Sequence, residues 1–163
     1  MAEQMRIAKG KNGQNLYCQT SHRRTITETD IVTFVNLVGL HEPAFIDMEW
    51  VQEAMPGIHN KRFAPAPLLI SLGMGLVATS VSEVVNAISE EEKLGAFHGM
   101  VGIEAKVKSP AFPGDTLHVE LSAGVDRKTS KAQTLVDLTH VLKNQRDDTV
   151  AIFTEKLLFD PAA

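Results

Sequence analysis

The chain has 163 residues and a formal net charge of −4, a length that suits one domain. With 44% hydrophobic and 22% charged residues, it has the composition of a globular chain with a core, which excludes collagen, a disordered chain and a disulfide scaffold. Its single cysteine, Cys18, allows no intrachain disulfide and no Cys-cluster zinc site, and an acidic chain without a basic stripe is a poor nucleic-acid binder.

The start, MAEQMRIAKGKNGQ, has no apolar run of the secretory type. Residues 1–23 read as an N-terminal arm or an edge segment, ahead of one domain over 24–163. Order begins at RRTITETDIVTFVNLVG, where Ile31, Phe34, Val35 and Val38 share one face of a helix from about Glu28 to Val38. Thr27 and Asp30 form a capping-box pair, and Gly39 stands where that helix should stop. Pro43 argues against a helix running through it. A second short helix is expected over Asp47 to Ala54, with Asp47 as its N-cap. Pro56-Gly57 reads as a turn.

The segment PLLISLGMGLVATSVS, from Pro67 to Ser82, is uncharged. It falls short of the ~20 apolar residues of a membrane span. It predicts instead one buried helix from Leu68 to about Glu90, with Gly73 and Gly75 allowing close backbone packing. The expected location is cytoplasmic, with no membrane partner. The second half alternates. Strands are expected near Gly99 to Val107, Leu117 to Val125, Val136 to Leu142 and Val150 to Phe159. Pro110, Pro113-Gly114-Asp115 and Asn144 to Asp147 supply turns between them. One long apolar helix followed by antiparallel strands gives an α+β plan, a sheet wrapped around a central helix.

Four segments carry a family resemblance: RTITETDIVTFVNLVG running into HEPAFIDMEW, RFAPAPLLISLGMG, SPAFPGDTLHVE and VLKNQRDDTV. In this order and spacing, over roughly Arg24 to Leu158, the chain resembles the MaoC-like dehydratases, the (R)-specific enoyl-CoA hydratases of the hotdog fold. The resemblance implies a homodimer whose sheets continue across the interface, with pairing into a dimer of dimers or beyond left open. It implies an acyl-CoA thioester as ligand and no cofactor besides the CoA that the substrate carries. Its chemistry is hydration of the double bond next to the thioester. An aspartate and a histidine on a loop handle water and proton, and backbone N–H groups at a helix start hold the thioester oxygen.

The family's loop reads Gly-Asp-x-Asn-Pro-x-His-x-Asp. Here Gly39, Pro43 and Asp47 match, but Leu40 takes the aspartate position and Phe45 the histidine position. Neither moves a proton. His41 and Glu42 lie in the same loop. One reading is a relocated pair, Glu42 orienting water and His41 exchanging the proton. The other is a pair of solvated loop residues, or His41 at a helix end. Ala66 takes the place of the family's oxyanion glycine. Pro67 has no N–H, so the donors would be Ala66 and Leu68.

Lys61 and Arg62, beside His59, read either as a solvated basic loop or as cations that meet CoA phosphates. His98, His118 and His140 fall on strand patterns and read as surface or satisfied structural residues, and Asp115 as turn chemistry. Trp50, Met74 and Met100 read as packing. No metal-ligand spacing, nucleophile elbow or Gly-rich phosphate loop is present. The leading activity is an enoyl-CoA hydratase or dehydratase with a rearranged acid/base loop. The alternatives are a non-catalytic acyl-CoA-binding protein and an acyl-CoA thioesterase.

Overall fold

The computed structural model describes residues 4–58 and 61–161. Its strands are β1 (Arg6–Lys9), β2 (Asn15–Thr20), β3 (Arg24–Thr25), β4 (Phe97–Val107), β5 (Thr116–Lys128), β6 (Thr134–Lys143) and β7 (Thr149–Phe159). Its α-helices are α1 (Glu28–Val38), α2 (Pro43–Ile46), α3 (Met48–Ala54), α4 (Ala66–Val77) and α5 (Val81–Glu91). The strands form one antiparallel sheet of order β1-β2-β5-β6-β7-β4, with the short β3 pairing to β5.

The four expected strands are present as β4 to β7. Alternation decides which face each buries. Leu117, Val119, Leu121 and Ala123 of β5, Val136, Leu138 and Leu142 of β6, and Ala151, Phe153 and Leu157 of β7 are all buried in the core. Leu69 and Leu76 of α4 and Val84 and Ile88 of α5 join them. The first residues supply an edge hairpin, β1 and β2, whose strand character the sequence pattern did not show.

Helix α1 has the expected bounds. Thr27 accepts the Asp30 N–H through Oγ1 at 3.1 Å, and Asp30 Oδ2 accepts the Thr27 N–H at 2.8 Å, closing the capping box. Gly39 ends the helix at φ 68°, a left-handed conformation that glycine takes without penalty. Its buried stripe is narrower than expected. Ile31 and Val35 are buried, whereas Val38 is exposed.

The single long helix expected from Leu68 to Glu90 is broken. α4 and α5 meet at a bend of 70°. Ser80 explains the break. Its N–H and its Oγ both donate to the Val77 carbonyl, at 2.9 and 3.2 Å, capturing an acceptor that a continuing helix would need. The two glycines of α4 also differ. A Cβ on Gly73 would lie 2.7 Å from the Phe153 ring, so this is where helix and sheet approach most closely. A Cβ on Gly75 would meet nothing within 4 Å, so the close-packing role expected for Gly75 does not hold.

Phe153 is fully buried and sandwiched by a stacked neighbour, so its ring has nowhere to go. Gly73→Ala gains up to about 1 kcal/mol of helix propensity, but overpacking costs about 1–3 kcal/mol. Chemical denaturation of Gly73→Ala should show a net loss of stability. In a Phe153→Leu background the same substitution should become neutral or stabilising. A loss of equal size in both backgrounds would mean that the ring is not the obstacle.

Candidate functional site

The loop after α1 folds back on itself. The Leu40 N–H donates to the Val35 carbonyl at 3.0 Å, and the His41 N–H to Gly39 at 2.9 Å. Pro43 does not run inside a helix but starts one, α2, at the position where its missing N–H costs nothing. Asp47 ends α2 and caps α3 as expected, its Oδ1 accepting the Glu49 and Trp50 N–H groups at 3.0 Å each.

Phe45, at the family's histidine position, is half-buried and packs on Phe63, with ring centroids 5.3 Å apart. Leu40, at the aspartate position, is half-buried too. His41 and Glu42 are exposed. Among the described residues neither side chain has a hydrogen-bond or ion-pair partner. The structure therefore does not bring the two together as a bonded pair. It leaves both on the outer side of a loop whose inner side is apolar.

What fixes this loop is Arg62. Its Nε donates to Glu28 Oε1 on α1 at 2.5 Å, and its Nη1 donates to the Phe45 carbonyl. One guanidinium thus ties the start of α1, the loop and the strap leading into α4. Its fork supplies the two parallel donors this needs. Arg62 is committed to that clamp, so of the two cations expected to meet CoA phosphates only Lys61 is exposed and without an ion pair. Lys61 Nζ lies 5.7 Å from the Phe112 ring centroid, a cation–π distance. His59 lies outside the described residues. Sequence reasoning missed the clamp because Glu28, Phe45 and Arg62 are far apart in the chain and no local pattern links them.

α4 starts three residues after Phe63. Its entry is anchored by the Ala64 N–H, which donates to the Ala111 carbonyl at 2.8 Å. Ala66 and Leu68 are its first and third residues, and intrahelical bonding starts with the Leu69 N–H to Pro65 at 3.1 Å. The Ala66 and Leu68 N–H groups precede the first helical bond and have no intrahelical acceptor. Ala66 is exposed and Leu68 buried. Asp115 is structural, as expected. Its Oδ2 accepts the Phe112 N–H and its Oδ1 the Gln145 Nε2, both at 2.9 Å, locking two turns together.

The histidines sort by burial. His98 is exposed and paired with Asp160 at 2.8 Å, a bond that holds the Asp160 carboxyl below the usual range. His118 is buried with Nε2 3.7 Å from Asp147. His140 is neither a surface residue nor a fully satisfied one. It is completely buried, stacked on Phe153 at 4.2 Å, with Nδ1 3.2 Å from the Leu138 carbonyl. Its Nε2 has no hydrogen-bond partner and lies 3.4 Å from Glu155 Oε1. Burial, outweighing hydrogen bonds to the Leu138 and Phe153 backbones, pushes His140 down from 6.5 to about 4. Burial pushes the Glu155 carboxyl up. Among the described residues no group of three potential metal ligands occurs, and no single helix is long and apolar enough to cross a membrane.

Comparison with known proteins agrees with this architecture. The family model described as "FAS1-like, dehydratase domain region" matches residues 13–153. No curated protein matches the chain. Among solved structures, a monoamine oxidase regulatory protein from Archaeoglobus fulgidus is 26% identical, with 90% of each chain covered and a TM-score of 0.63. A MaoC-like dehydratase from Rhodospirillum rubrum is 20% identical, covering 90% of this chain and 92% of its own, at a TM-score of 0.66. An (R)-hydratase from A. caviae involved in PHA biosynthesis is 16% identical, covering 91% and 96%, at 0.57. The likeness to the last two is one of fold.

The buried imidazole sets a pH dependence. Between pH 6.5 and about 4 the unfolded chain binds a proton at His140 that the folded chain refuses. The stability this gives is complete above 6.5 and is lost as pH falls toward 4, by roughly 3 kcal/mol at most. Glu155 works the other way, since a raised carboxyl stabilises below its unfolded value and loses that as pH rises. Urea midpoints should fall from pH 7 to pH 4.5 in the wild type and fall less in His140→Phe. Equal slopes would remove His140 as the cause.

Proposed function

The chain belongs to the FAS1-like dehydratase-region family, with the MaoC-like hotdog fold, and from that premise we propose that it hydrates and dehydrates enoyl-CoA thioesters. The observation that carries the reading is the Arg62 clamp. It holds the His41–Glu42 loop against the strap that delivers the free N–H groups of α4. Acid/base groups and oxyanion donors must sit on one rigid frame for such a reaction, and the clamp supports reading the loop and the helix entry as one.

In the hydration direction Glu42 orients a water and His41 takes its proton. The water oxygen bonds to the β-carbon of the enoyl group. The electron pair of the double bond moves to the α-carbon and the thioester oxygen, which the Ala66 and Leu68 N–H groups stabilise. His41 returns the proton to the α-carbon, so the product is the β-hydroxyacyl thioester, which holds every atom of the enoyl thioester and the one water. In this reading the exposed Lys61 meets the CoA phosphates.

A second reading, an acyl-CoA binder without turnover, is favoured by Leu40 and Phe45, which make the inner side of the loop apolar. For either reading we propose a homodimer formed through β4. This edge strand leaves Phe97, Met100, Val101, Ile103 and Val107 exposed, and an uncovered apolar edge is a template for another strand.

Purified protein mixed with crotonyl-CoA should bleach the absorbance of the conjugated thioester. His41→Ala or Glu42→Ala should lower kcat by about 100-fold or more, the low end of the range for a general acid or base. Unchanged turnover in both variants removes the assigned roles. Tight binding of the thioester with no turnover by the wild type selects the second reading. Sedimentation should show a dimer, and Val101→Lys/Ile103→Lys should shift it to monomer. A dimer that survives both lysines would place the interface elsewhere.

A further inference from the structure

His140 and Glu155 face a part of the molecule that the loop chemistry does not use. A cleft of about 320 Å³ lies between α5 and strands β4, β6 and β7. Val81, Val85, Leu138, Leu157, Phe97 and Met100 give it apolar walls. That volume is at the small end for ligand sites, which are mostly apolar with a few placed polar groups. The polar groups here are Ser82 and Asn86, one turn apart on α5, and Glu155 on the opposite wall. Among the described residues, the side chains of Ser82 and Asn86 have no hydrogen-bond partner.

Glu155 is the anomaly. It is 8% exposed in the middle of an apolar face, where alternation along β7 calls for a hydrophobic residue. The sheet register sets it opposite Leu138 and sets His140 opposite Phe153. The bond geometry fixes the imidazole tautomer. Nδ1 faces the Leu138 carbonyl, so Nδ1 carries the proton and Nε2 keeps a lone pair. That lone pair is buried and lies 3.4 Å from Glu155 Oε1. A buried acceptor next to a buried carboxyl is a costly arrangement for packing alone. The carboxyl oxygens of Glu155 line the cleft, so a guest hydroxyl there finds a hydrogen-bond acceptor.

We propose that this cleft binds an aliphatic chain bearing a hydroxyl group, which the Glu155 carboxyl hydrogen-bonds while His140 positions that carboxyl. The inference deepens the acyl-thioester reading and rests on it only for the identity of the chain. The substrate class becomes a thioester whose acyl chain carries an oxygen further along than the hydroxyl that hydration places on the β-carbon. Glu155 is then a specificity residue and His140 a positioning residue.

The test separates the cleft from the loop. Nuclear magnetic resonance titration follows the methyl groups of Val81, Val85 and Leu157 while 2-heptanol, or 1-chlorohexane as a chain of similar size without a hydroxyl, is added. In the wild type the alcohol should bind at least tenfold tighter than the chloride. Glu155→Met keeps the volume and removes the polar end, and should bring the ratio of affinities close to one. His140→Phe keeps the stack on Phe153 and should lower the ratio as well, which a purely structural role would not do. Val85→Trp, filling the cleft, should abolish both titrations. Equal binding of alcohol and chloride in the wild type, an unchanged ratio in Glu155→Met, or shifts at other methyl groups would overturn the proposal. Selective alcohol binding in a protein that leaves crotonyl-CoA untouched would support the cleft and count against the hydratase reading. Turnover without selective binding would do the reverse.

Discussion

Helix α4 crosses the sheet at a contact that only a glycine permits. With no side chain at Gly73, the backbone comes down onto the Phe153 ring. Phe153 in turn carries the stacked imidazole of His140 on the adjacent strand. The imidazole points its bare nitrogen at Glu155. Helix position, strand register and a buried acid/base pair are therefore links of a single chain of contacts. A shift of one residue in β7 would turn Phe153 and Glu155 outward together and leave His140 on β6 without both partners, because strand side chains alternate with period two.

Much of the fold was legible because its elements obey local rules. The capping box of α1 and the left-handed Gly39 lie within a few residues of each other, so the sequence alone placed that helix. Strands β5 to β7 alternate cleanly because one face is core. β1 and β2 were not legible as strands because their apolar residues, Ile7-Ala8 and Leu16-Tyr17-Cys18, run together instead of alternating, and the hairpin takes its order from the β5 strand beside it. The break between α4 and α5 escaped for a different reason. Apolar composition runs straight through Ala78, Thr79 and Ser80, and only the Ser80 hydroxyl, a weak local competitor, marks the bend.

For the candidate site, the family resemblance marked a loop and a helix entry, and the two positions where Leu40 and Phe45 stand in place of the pattern's aspartate and histidine. It did not reveal that Arg62 is consumed by the frame. Two cations side by side in a loop look equivalent in sequence. Which one folds inward depends on Glu28 and on the Phe45 carbonyl, both of them non-local. Likewise His140 looked like one more strand residue. Its depth and its proximity to Glu155 are properties of sheet pairing.

The two apolar replacements and the clamp belong to one physical arrangement. Phe45 packs on Phe63, and its backbone carbonyl accepts from Arg62, so the position where the resembled loop pattern has a histidine here serves the loop's own rigidity. A charged or titrating side chain in that half-buried place would bear a desolvation cost. The consequence falls on His41 and Glu42. Their frame is rigid, yet they remain in water, where a general acid or base gains little from fixed dipoles and competes with solvent for the proton. Chemistry at this loop therefore needs a cover. Substrate bulk or a second chain must exclude water from the side that the fold leaves open. Leu37, Ile46 and Trp50, close in sequence to the loop, are exposed apolar side chains that such a cover would bury.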